Sequence, residues 1–360
     1  MSIETSAGIY GHAQLDDSGD SGESNRRDEF DYARFVAQLR VLETRLLTRA
    51  QLMRMVDSPD PETAFRLLFE TEYAPAVTAA GSVFNYEVAL AAELARVFAL
   101  LRQGSPDQDL VGFLGFVYDL QNLKTVLKAA LVNRPLEPGQ MVGAGSLSPS
   151  LLAEVARTGS ATILPEPFRT VALQASRTYG ATGDPQEIDL VVDAARFPLL
   201  ISQASSGGYD LLARLGQATA DLVNLRTLLR LKALKAAPGV VQRALVTGGS
   251  IAVARLVALF NAELEEIVQA LTGVTNHDVL AAGVQAYRST GSLALYEKLM
   301  DDRLLSLTEE SRYTAFGPEP IIAYLMAKET EIKNLRIIFI GKINRLPENT
   351  IRERLRETYA

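Results

Sequence analysis

Three segments of this chain carry an acid, an asparagine and a base at one fixed spacing, and these side chains could form ion pairs and hydrogen bonds. In each segment the asparagine follows the acid by three residues, and a leucine and the base come directly after it. The asparagines lie 102 and then 110 residues apart, which exceeds the roughly 20–50 residues of a solenoid repeat. The pattern therefore indicates a repeat of whole helical units. The three copies are Asp119, Asn122 and Lys124; Asp221, Asn224 and Arg226; and Glu331, Asn334 and Arg336.

The acid and the asparagine of each copy should be buried. On a helix that turns by about 100° per residue, both fall on the apolar face, whereas the base points elsewhere. The base lies five residues from the acid and so misses the spacing for an ion pair within the helix. A buried carboxylate and a buried amide then need partners on another helix or in another repeat. They could fix the register of a helix within its unit, or they could line a lumen or join neighbouring repeats.

The third copy departs from the other two at one position. The first two copies carry a second base, Lys128 and Arg230, and Ile340 stands at the corresponding place in the third. A symmetric ring of basic side chains is therefore not expected.

Most of the chain has the apolar periodicity of amphipathic helices, and alternating strand patterns are almost absent. The sequence therefore predicts an all-α fold. Helices are predicted over residues 87–101, 110–131, 188–200, 211–234, 251–271, 293–307 and 321–340.

The repeat divides the chain into three similar helical subdomains, over residues 30–138, 139–240 and 241–360. A proline follows each copy by 13 or 14 residues, and a base stands shortly before each proline. Three similar units predict pseudo-threefold symmetry around an axis. Residues 1–29 are polar and are predicted to form a disordered tail. The prolines and their bases are Pro135 with Arg134, Pro238 with Lys235, and Pro347 with Arg345.

The composition excludes several classes of function. A net charge of -7 argues against a nucleic-acid binder, and no apolar run is long enough to span a bilayer. There are no cysteines and only two histidines, His12 and His277, so neither a thiolate or histidine metal cluster nor a histidine triad is expected. No phosphate-binding G-x-x-x-x-G-K-[ST] loop occurs, and the glycine-rich segments 143–146 and 248–250 are interpreted as linkers. We therefore expect a cytoplasmic protein without catalytic residues or a cofactor.

Two charged segments have ordinary interpretations. Asp301 and Asp302 could suggest paired carboxylates for acid–base chemistry, but beside Arg303 a solvated helix face is expected. Near the C-terminus a run of basic residues either caps helices or contacts an acidic partner. This run comprises Arg336, Lys342, Arg345, Arg352, Arg354 and Arg356.

Residues 327–338 (AKETEIKNLRII) resemble the C-terminal part of the C subunits of archaeal-type and bacterial V-type ATPases, whose counterparts in eukaryotic vacuolar ATPases are the d subunits. Residues 42–47, 67–73 and 118–124 are similar to the same family. The resemblance extends over about residues 30–360. It depends on the order of these segments and on the three-copy layout rather than on any single motif.

This resemblance implies a funnel of three helical subdomains at the cytoplasmic side of a membrane. Its base would rest on the membrane rotor ring, and its central socket would receive a rotating shaft made of the D and F subunits. The protein would then transmit torque between proton or sodium flow and ATP chemistry, as a peripheral subunit without catalytic residues. The alternative is a helical-repeat scaffold or ligand-binding module unrelated to a rotor.

Overall fold

The computed structural model describes residues 20–132, 135–136 and 139–359. Within these residues the chain forms helices and no strands, which confirms the all-α prediction. The first helix begins at Asp20, within the segment predicted as a disordered tail, and residues 1–19 lie outside the described part. Arg134, one of the bases predicted before the repeated prolines, also lies outside it.

Six helices precede the first linker. Short polar side chains start several of them: Thr48 forms a capping box with Gln51, and the carboxylates of Asp60 and Asp107 accept from backbone N–H groups at their helix starts. These helices are α1 (Asp20–Glu43), α2 (Arg49–Val56), α3 (Pro61–Arg66), α4 (Ala74–Ala80), α5 (Tyr86–Gly104) and α6 (Gln108–Leu131).

Four helices follow in the middle of the chain and seven in its last third. The middle helices are α7 (Pro149–Thr158), α8 (Phe168–Thr182), α9 (Gln186–Ser206) and α10 (Asp210–Ala233). The last are α11 (Pro238–Ala244), α12 (Val253–Ala258), α13 (Leu264–Ala270), α14 (His277–Thr290), α15 (Ala294–Ser306), α16 (Glu319–Ile343) and α17 (Glu348–Arg354).

The single helix predicted over residues 251–271 is wrong, because this segment forms the two helices α12 and α13. The break has a local cause. Glu263 accepts a hydrogen bond from the backbone of Glu266, and the side chain of Glu266 accepts one from the backbone of Glu263. This reciprocal cap satisfies the free N–H groups of a new helix start and so separates α13 from α12.

The helix α16 is the most enclosed element of the fold. Its buried residues lie on all sides of the helix and include charged ones such as Lys328 and Glu331. It packs against α1, α2, α3 and α5 from the first part of the chain, and against α15 and α17 from the last. A helix buried all round requires neighbours on every side, so α16 is the column around which both ends of the chain assemble. Within the described ranges, no helix is both long and apolar enough to cross a bilayer.

The helix α1 packs closely on the end of α5. Gly104 leaves room for the buried ring of Phe35, since a Cβ at residue 104 would lie 2.2 Å from Phe35 Cε2. The substitution Gly104→Ala should therefore force the ring to move and lower the free energy of unfolding by about 1–3 kcal/mol.

Urea unfolding followed by circular dichroism would measure this loss. Gly112→Ala is the matched control, because it also adds a methyl group to a helix but meets no atom within 4 Å. We expect the control to gain about 0.5–1 kcal/mol from its better helix propensity. Equal effects of the two substitutions would contradict the close packing of α1 on α5.

Candidate functional site

The first two repeated asparagines each hold one residue of the linker that follows their helix. The Nδ2 of Asn122 donates to the carbonyl of Val142 at 2.9 Å, and its Oδ1 accepts from the N–H of Val142 at 2.8 Å. Asn224 binds Val246 in the same way, at 2.7 Å and 2.8 Å. One amide side chain thus satisfies both polar groups of a backbone residue, as a paired strand would.

The first two repeated acids hold the same linkers a few residues further on. Asp119 accepts from the N–H and the hydroxyl of Ser146 at 2.8 Å and 2.6 Å, and from the N–H of Leu147 at 2.9 Å. Three donors around one buried carboxylate compensate for its lost hydration. In the second copy, Asp221 accepts from the N–H and hydroxyl of Ser250 at 2.9 Å and 2.6 Å and from the N–H of Ile251 at 3.0 Å.

Glycine makes this close approach possible. A Cβ at Gly145 would lie 2.0 Å from Oδ1 of Asp119, and one at Gly249 would lie 2.1 Å from Oδ1 of Asp221. These glycine-rich segments were interpreted as linkers, and they are also the partners of the buried acids. The signal in the sequence is the recurrence of glycine, serine and an apolar residue, with the glycine 26 and 28 residues after the acid.

The third copy makes equivalent bonds to two separate segments of the chain. Asn334 binds the backbone of Arg356 through its Nδ2 at 3.2 Å and its Oδ1 at 2.8 Å. Glu331 accepts from the N–H of Leu47, which stands directly before the cap of α2. The linkers held by the first two acids likewise lead into the short helices α7 and α12.

We call these three sets of bonds the first joint (α6 with residues 142–147), the second joint (α10 with residues 246–251) and the third joint (α16 with Arg356 and Leu47). Each of the first two repeated helices grips a segment near the start of the next group of helices. The third grips Leu47, which lies between α1 and α2 of the first group, and Arg356, which follows α17. The joints therefore follow one another in a closed cyclic order.

Two of the three bases of the repeat form ion pairs with the neighbouring group of helices. Lys124 Nζ lies 2.8 Å from Asp193 Oδ1 on α9, and Arg336 binds both carboxylate oxygens of Glu87 on α5, at 2.6 Å and 2.9 Å. Among the described residues, the Nε of Arg226 is buried and has no hydrogen-bond partner. Partly exposed ion pairs contribute at most about 1 kcal/mol each, so these pairs orient the neighbouring helices more than they stabilise them.

The second bases follow the same cyclic order. Lys128 pairs with Asp189 on α9 at 2.6 Å, and Arg230 pairs with Glu297 on α15. Ile340, at the corresponding place on α16, is 41% exposed. The interface of α16 with the first group of helices is therefore the one that lacks this second pair.

A buried ionic cluster supports the third joint. Lys328 Nζ lies 2.7 Å from Glu331 Oε1 and 3.1 Å from Glu93 Oε1, and the hydroxyl of Tyr73 donates to Glu331 at 2.8 Å. Burial alone would lower the pKa of Lys328, but the two carboxylates outweigh it and raise that pKa above its usual value. Removal of Lys328 would leave the Glu331 carboxylate in the interior without a cation beside it.

A cavity of about 480 Å³ lies between α5, α6 and α16. Its wall includes Tyr118, which precedes the first repeated acid, and Glu329, which accepts a hydrogen bond from the hydroxyl of Tyr118. Burial and the nearby Glu329 carboxylate raise the pKa of Tyr118 well above its usual range. Arg336 also lines this cavity, whereas Asn122 lines a second one of about 610 Å³ beside the first linker.

The prediction of a solvated face at Asp301 is wrong. Asp301 is buried, and its two oxygens lie 2.8 Å from Lys333 Nζ and 2.8 Å from Arg356 Nε. The reason is that α15 packs between α16 and the chain after α17, which cover this face of the helix.

The basic C-terminal residues find most of their partners within the chain. Lys342 donates to the carbonyl of Ser58, and Arg352 pairs with Asp57. Both partners lie directly after α2. These contacts extend the third joint toward the first part of the chain.

The geometry of the described residues thus defines a class of protein: a helical chain in which three repeated helices bind backbone segments of the same chain through buried amides and carboxylates. The sequence matches the ATP synthase (C/AC39) subunit family over residues 35–354. The chain therefore belongs to this family.

Two relatives illustrate the extent of the similarity. The chain is 26% identical over 324 residues to the C subunit of the V-type sodium ATPase of Enterococcus hirae, covering 89% of this chain and 97% of that protein. It is also 26% identical over 343 residues to the C subunit of the A-type ATP synthase of Methanocaldococcus jannaschii, covering 90% of this chain and 86% of that protein. The similarity thus spans nearly the whole length of both proteins.

The buried amide of the second joint can be tested by removing it. Asn224→Leu keeps a similar volume but leaves the N–H and the carbonyl of Val246 buried without partners. We expect the free energy of unfolding to fall by about 2–4 kcal/mol, since each unsatisfied group costs about 1–3 kcal/mol. Gln217→Leu, an exposed amide on the same helix, is the control and should change stability by less than about 0.5 kcal/mol. A similar small change for both would refute the structural role of the amide.

Asp301 should make stability depend on acid pH. Burial alone would raise its pKa, but Lys333 and Arg356 outweigh this and hold the pKa below its usual range. Its contribution is therefore complete above the unfolded-state pKa, near pH 4, and is lost as the pH falls through the lower folded-state pKa.

Thermal unfolding from pH 2 to 7 would measure this contribution. Asp301→Asn should lower the free energy of unfolding by about 3 kcal/mol at pH 7 and reduce the loss of stability below about pH 4. Glu309→Gln, at an exposed position, should leave both unchanged. An Asp301→Asn profile parallel to that of the unmodified protein would contradict this assignment.

Proposed function

We propose that this chain is a non-catalytic central-stalk subunit of a rotary ATPase. It forms a socket that links the rotating shaft, made of the D and F subunits, to the membrane rotor ring, and it transmits torque between them. The match to the ATP synthase (C/AC39) subunit family over residues 35–354 supports this role. The names of the relatives, C subunits of a V-type sodium ATPase and of A-type ATP synthases, support it as well.

The observation that carries the proposal is the closed cyclic order of the three joints. A helix of each of the first two repeats grips a segment near the start of the next repeat, and α16 returns to the first repeat through Leu47. Three similar subdomains over residues 30–138, 139–240 and 241–360 would then surround a common axis with pseudo-threefold symmetry, as a funnel. Such an arrangement suits a part that holds a shaft centrally.

The joints also suit a part that bears torque. Buried carboxylates and amides with several hydrogen bonds each resist displacement of one helix group against the next, because sliding would leave polar groups unpaired in the interior. The ion pairs of Lys124 and Arg336 add contacts that point across the interfaces. Torque applied to one subdomain would in this way reach the others through many moderate contacts.

The chain would act at the cytoplasmic side of the membrane, as a peripheral subunit. The transported ion would pass through the rotor ring. This chain would therefore transmit torque and would supply no ligand for the ion. One relative is named a sodium ATPase and another an ATP synthase. Both directions of operation, and both proton and sodium transport, are compatible with the same coupling part.

A partner surface can be proposed from two exposed apolar residues. Phe84 is 68% exposed and Val88 is 56% exposed, and they stand four residues apart, Phe84 in the turn before α5 and Val88 in the first turn of α5. Val88 also lines the cavity between α5, α6 and α16. Their exposure leaves apolar area free for a partner protein, and we propose that they contact the shaft or the ring.

Capture assays with the purified chain would test the function. One assay uses the co-expressed pair of D and F subunits from the same organism, and the other uses the detergent-solubilised rotor ring. We expect capture of both and no ATP turnover by the chain alone. Capture of neither partner by a folded monomer would refute the rotor proposal and favour a helical scaffold or ligand-binding module.

A matched pair of variants would test the surface separately. Phe84→Ser combined with Val88→Ser should weaken capture of one partner at least tenfold, whereas Ile163→Ser, at another exposed apolar position, should not. Unchanged capture by the double variant would refute the surface assignment and leave the function supported by the unmodified chain.

A further inference from the structure

The three joints differ in how the chain runs through them. At the first joint the two gripped residues, Val142 and Leu147, lie five residues apart on one linker, and at the second joint Val246 and Ile251 do the same. At the third joint they are Arg356, near the end of the chain, and Leu47, directly before α2. At the third joint, therefore, no single linker carries both gripped residues, and no short linker joins α16 to Leu47.

We infer that the cyclic arrangement opens at the third joint, and that residues 355–359 act as a strap that holds it closed. When the bonds of the first or second joint break, the linker still keeps the two sides within a few residues of each other and favours their return. At the third joint no linker limits the separation. Opening there can move α16 and α15 away from the start of the first helix group.

The strap is fixed at several points to elements from both sides of the joint. On one side, Arg356 pairs with Asp301 at 2.8 Å, and the N–H of Glu357 donates to Asp302 at 2.7 Å. On the other side, the hydroxyl of Tyr359 donates to Glu43 on α1 at 3.3 Å. Leu355 is fully buried at the base of the strap. The strap therefore bridges α15 and α1.

Two arginines from the first part of the chain complete the closure. The Nη2 of Arg40 donates to the carbonyls of Ser311 and Thr314 at 2.6 Å and 2.9 Å, and Arg49 donates to the carbonyl of Arg356 at 3.3 Å. Most of these contacts are polar and only partly buried. Contacts of this kind contribute little each and exchange readily with water, so at its outer side the third joint is closed by many weak contacts, while the buried cluster of Lys328, Glu331 and Glu93 holds its inner side.

This inference goes beyond the proposed function and needs no partner to be tested. Opening at one fixed place would give lateral access to the space between the helix groups. It would also leave the first and second joints intact, so the chain would keep most of its structure while open.

Hydrogen exchange of the unmodified protein tests the inference directly. The backbone N–H groups bound at the three joints can be compared directly, because each donates to the acid or the asparagine of one copy of the repeat. Their exchange rates report how often each joint opens. We expect the Leu47 amide, whose bond to Glu331 crosses the third joint, to exchange at least tenfold faster than the others, after correction for intrinsic rates. Equal or slower exchange of the Leu47 amide would overturn the inference. The comparison amides are those of Val142, Leu147, Val246 and Ile251.

A shortened chain tests the strap. A variant that ends at Arg354 should raise exchange at Leu47 at least tenfold and leave the Val142 and Val246 amides unchanged. Unchanged exchange at Leu47 would show that residues 355–359 do not hold the joint. If this variant does not fold, exchange in the full chain and the labelled pairs described next still decide the inference.

Spin labels test the opening itself. The chain has no cysteines, so an introduced pair is labelled uniquely. Thr44→Cys with Glu353→Cys spans the third joint, and Gln121→Cys with Ser150→Cys spans the first; all four positions are exposed. Below the unfolding transition in urea, the distance distribution of the first pair should broaden while that of the control pair stays narrow. Simultaneous broadening, or earlier broadening of the control, would overturn the inference.

Discussion

The fold depends on buried polar side chains that form hydrogen bonds with the backbone of other segments. Asn122 and Asp119 lie on the buried, mostly apolar face of α6. They are stable there because the linker that follows this helix supplies their hydrogen-bond partners. The constraint acts in both directions. A linker that enters the interior must also satisfy its own N–H and carbonyl groups, and the amide of Asn122 does this for Val142. Helix and linker therefore stabilise each other, and separating them in the interior would leave the polar groups of both without hydrogen-bond partners.

This mutual dependence explains the position of α16. Its acid and asparagine require backbone partners, and these do not come from one linker. The partners come from both ends of the chain instead, with Arg356 on one side and Leu47 on the other. The buried cluster of Lys328, Glu331 and Glu93 is consistent with the burial of α16 on all sides. Charged side chains on a buried helix require groups of opposite charge beside them.

Much of this organisation could be predicted from the sequence, and the remainder has a physical reason for being hidden. Apolar periodicity predicts the helices, and the angular position of Asp221 and Asn224 predicts their burial. Their partners are backbone N–H and carbonyl groups, which any residue carries, so residue types could not identify them. The glycine at 249 was visible as a repeated feature, but its purpose becomes clear only when the distance to the Asp221 carboxylate is known. The apolar pattern continues across the break between α12 and α13 and therefore predicts one helix. The cap formed by Glu263 and Glu266 does not interrupt this pattern, so the sequence does not reveal it.

The third joint has one more consequence, for what the contacts require of the chain. Its two gripped residues are far apart in the sequence, yet they make the bonds that the residues of a single linker make elsewhere. The packing of a joint therefore requires two backbone segments to lie side by side, and it does not require a linker to join them. Order in space is here independent of order along the sequence.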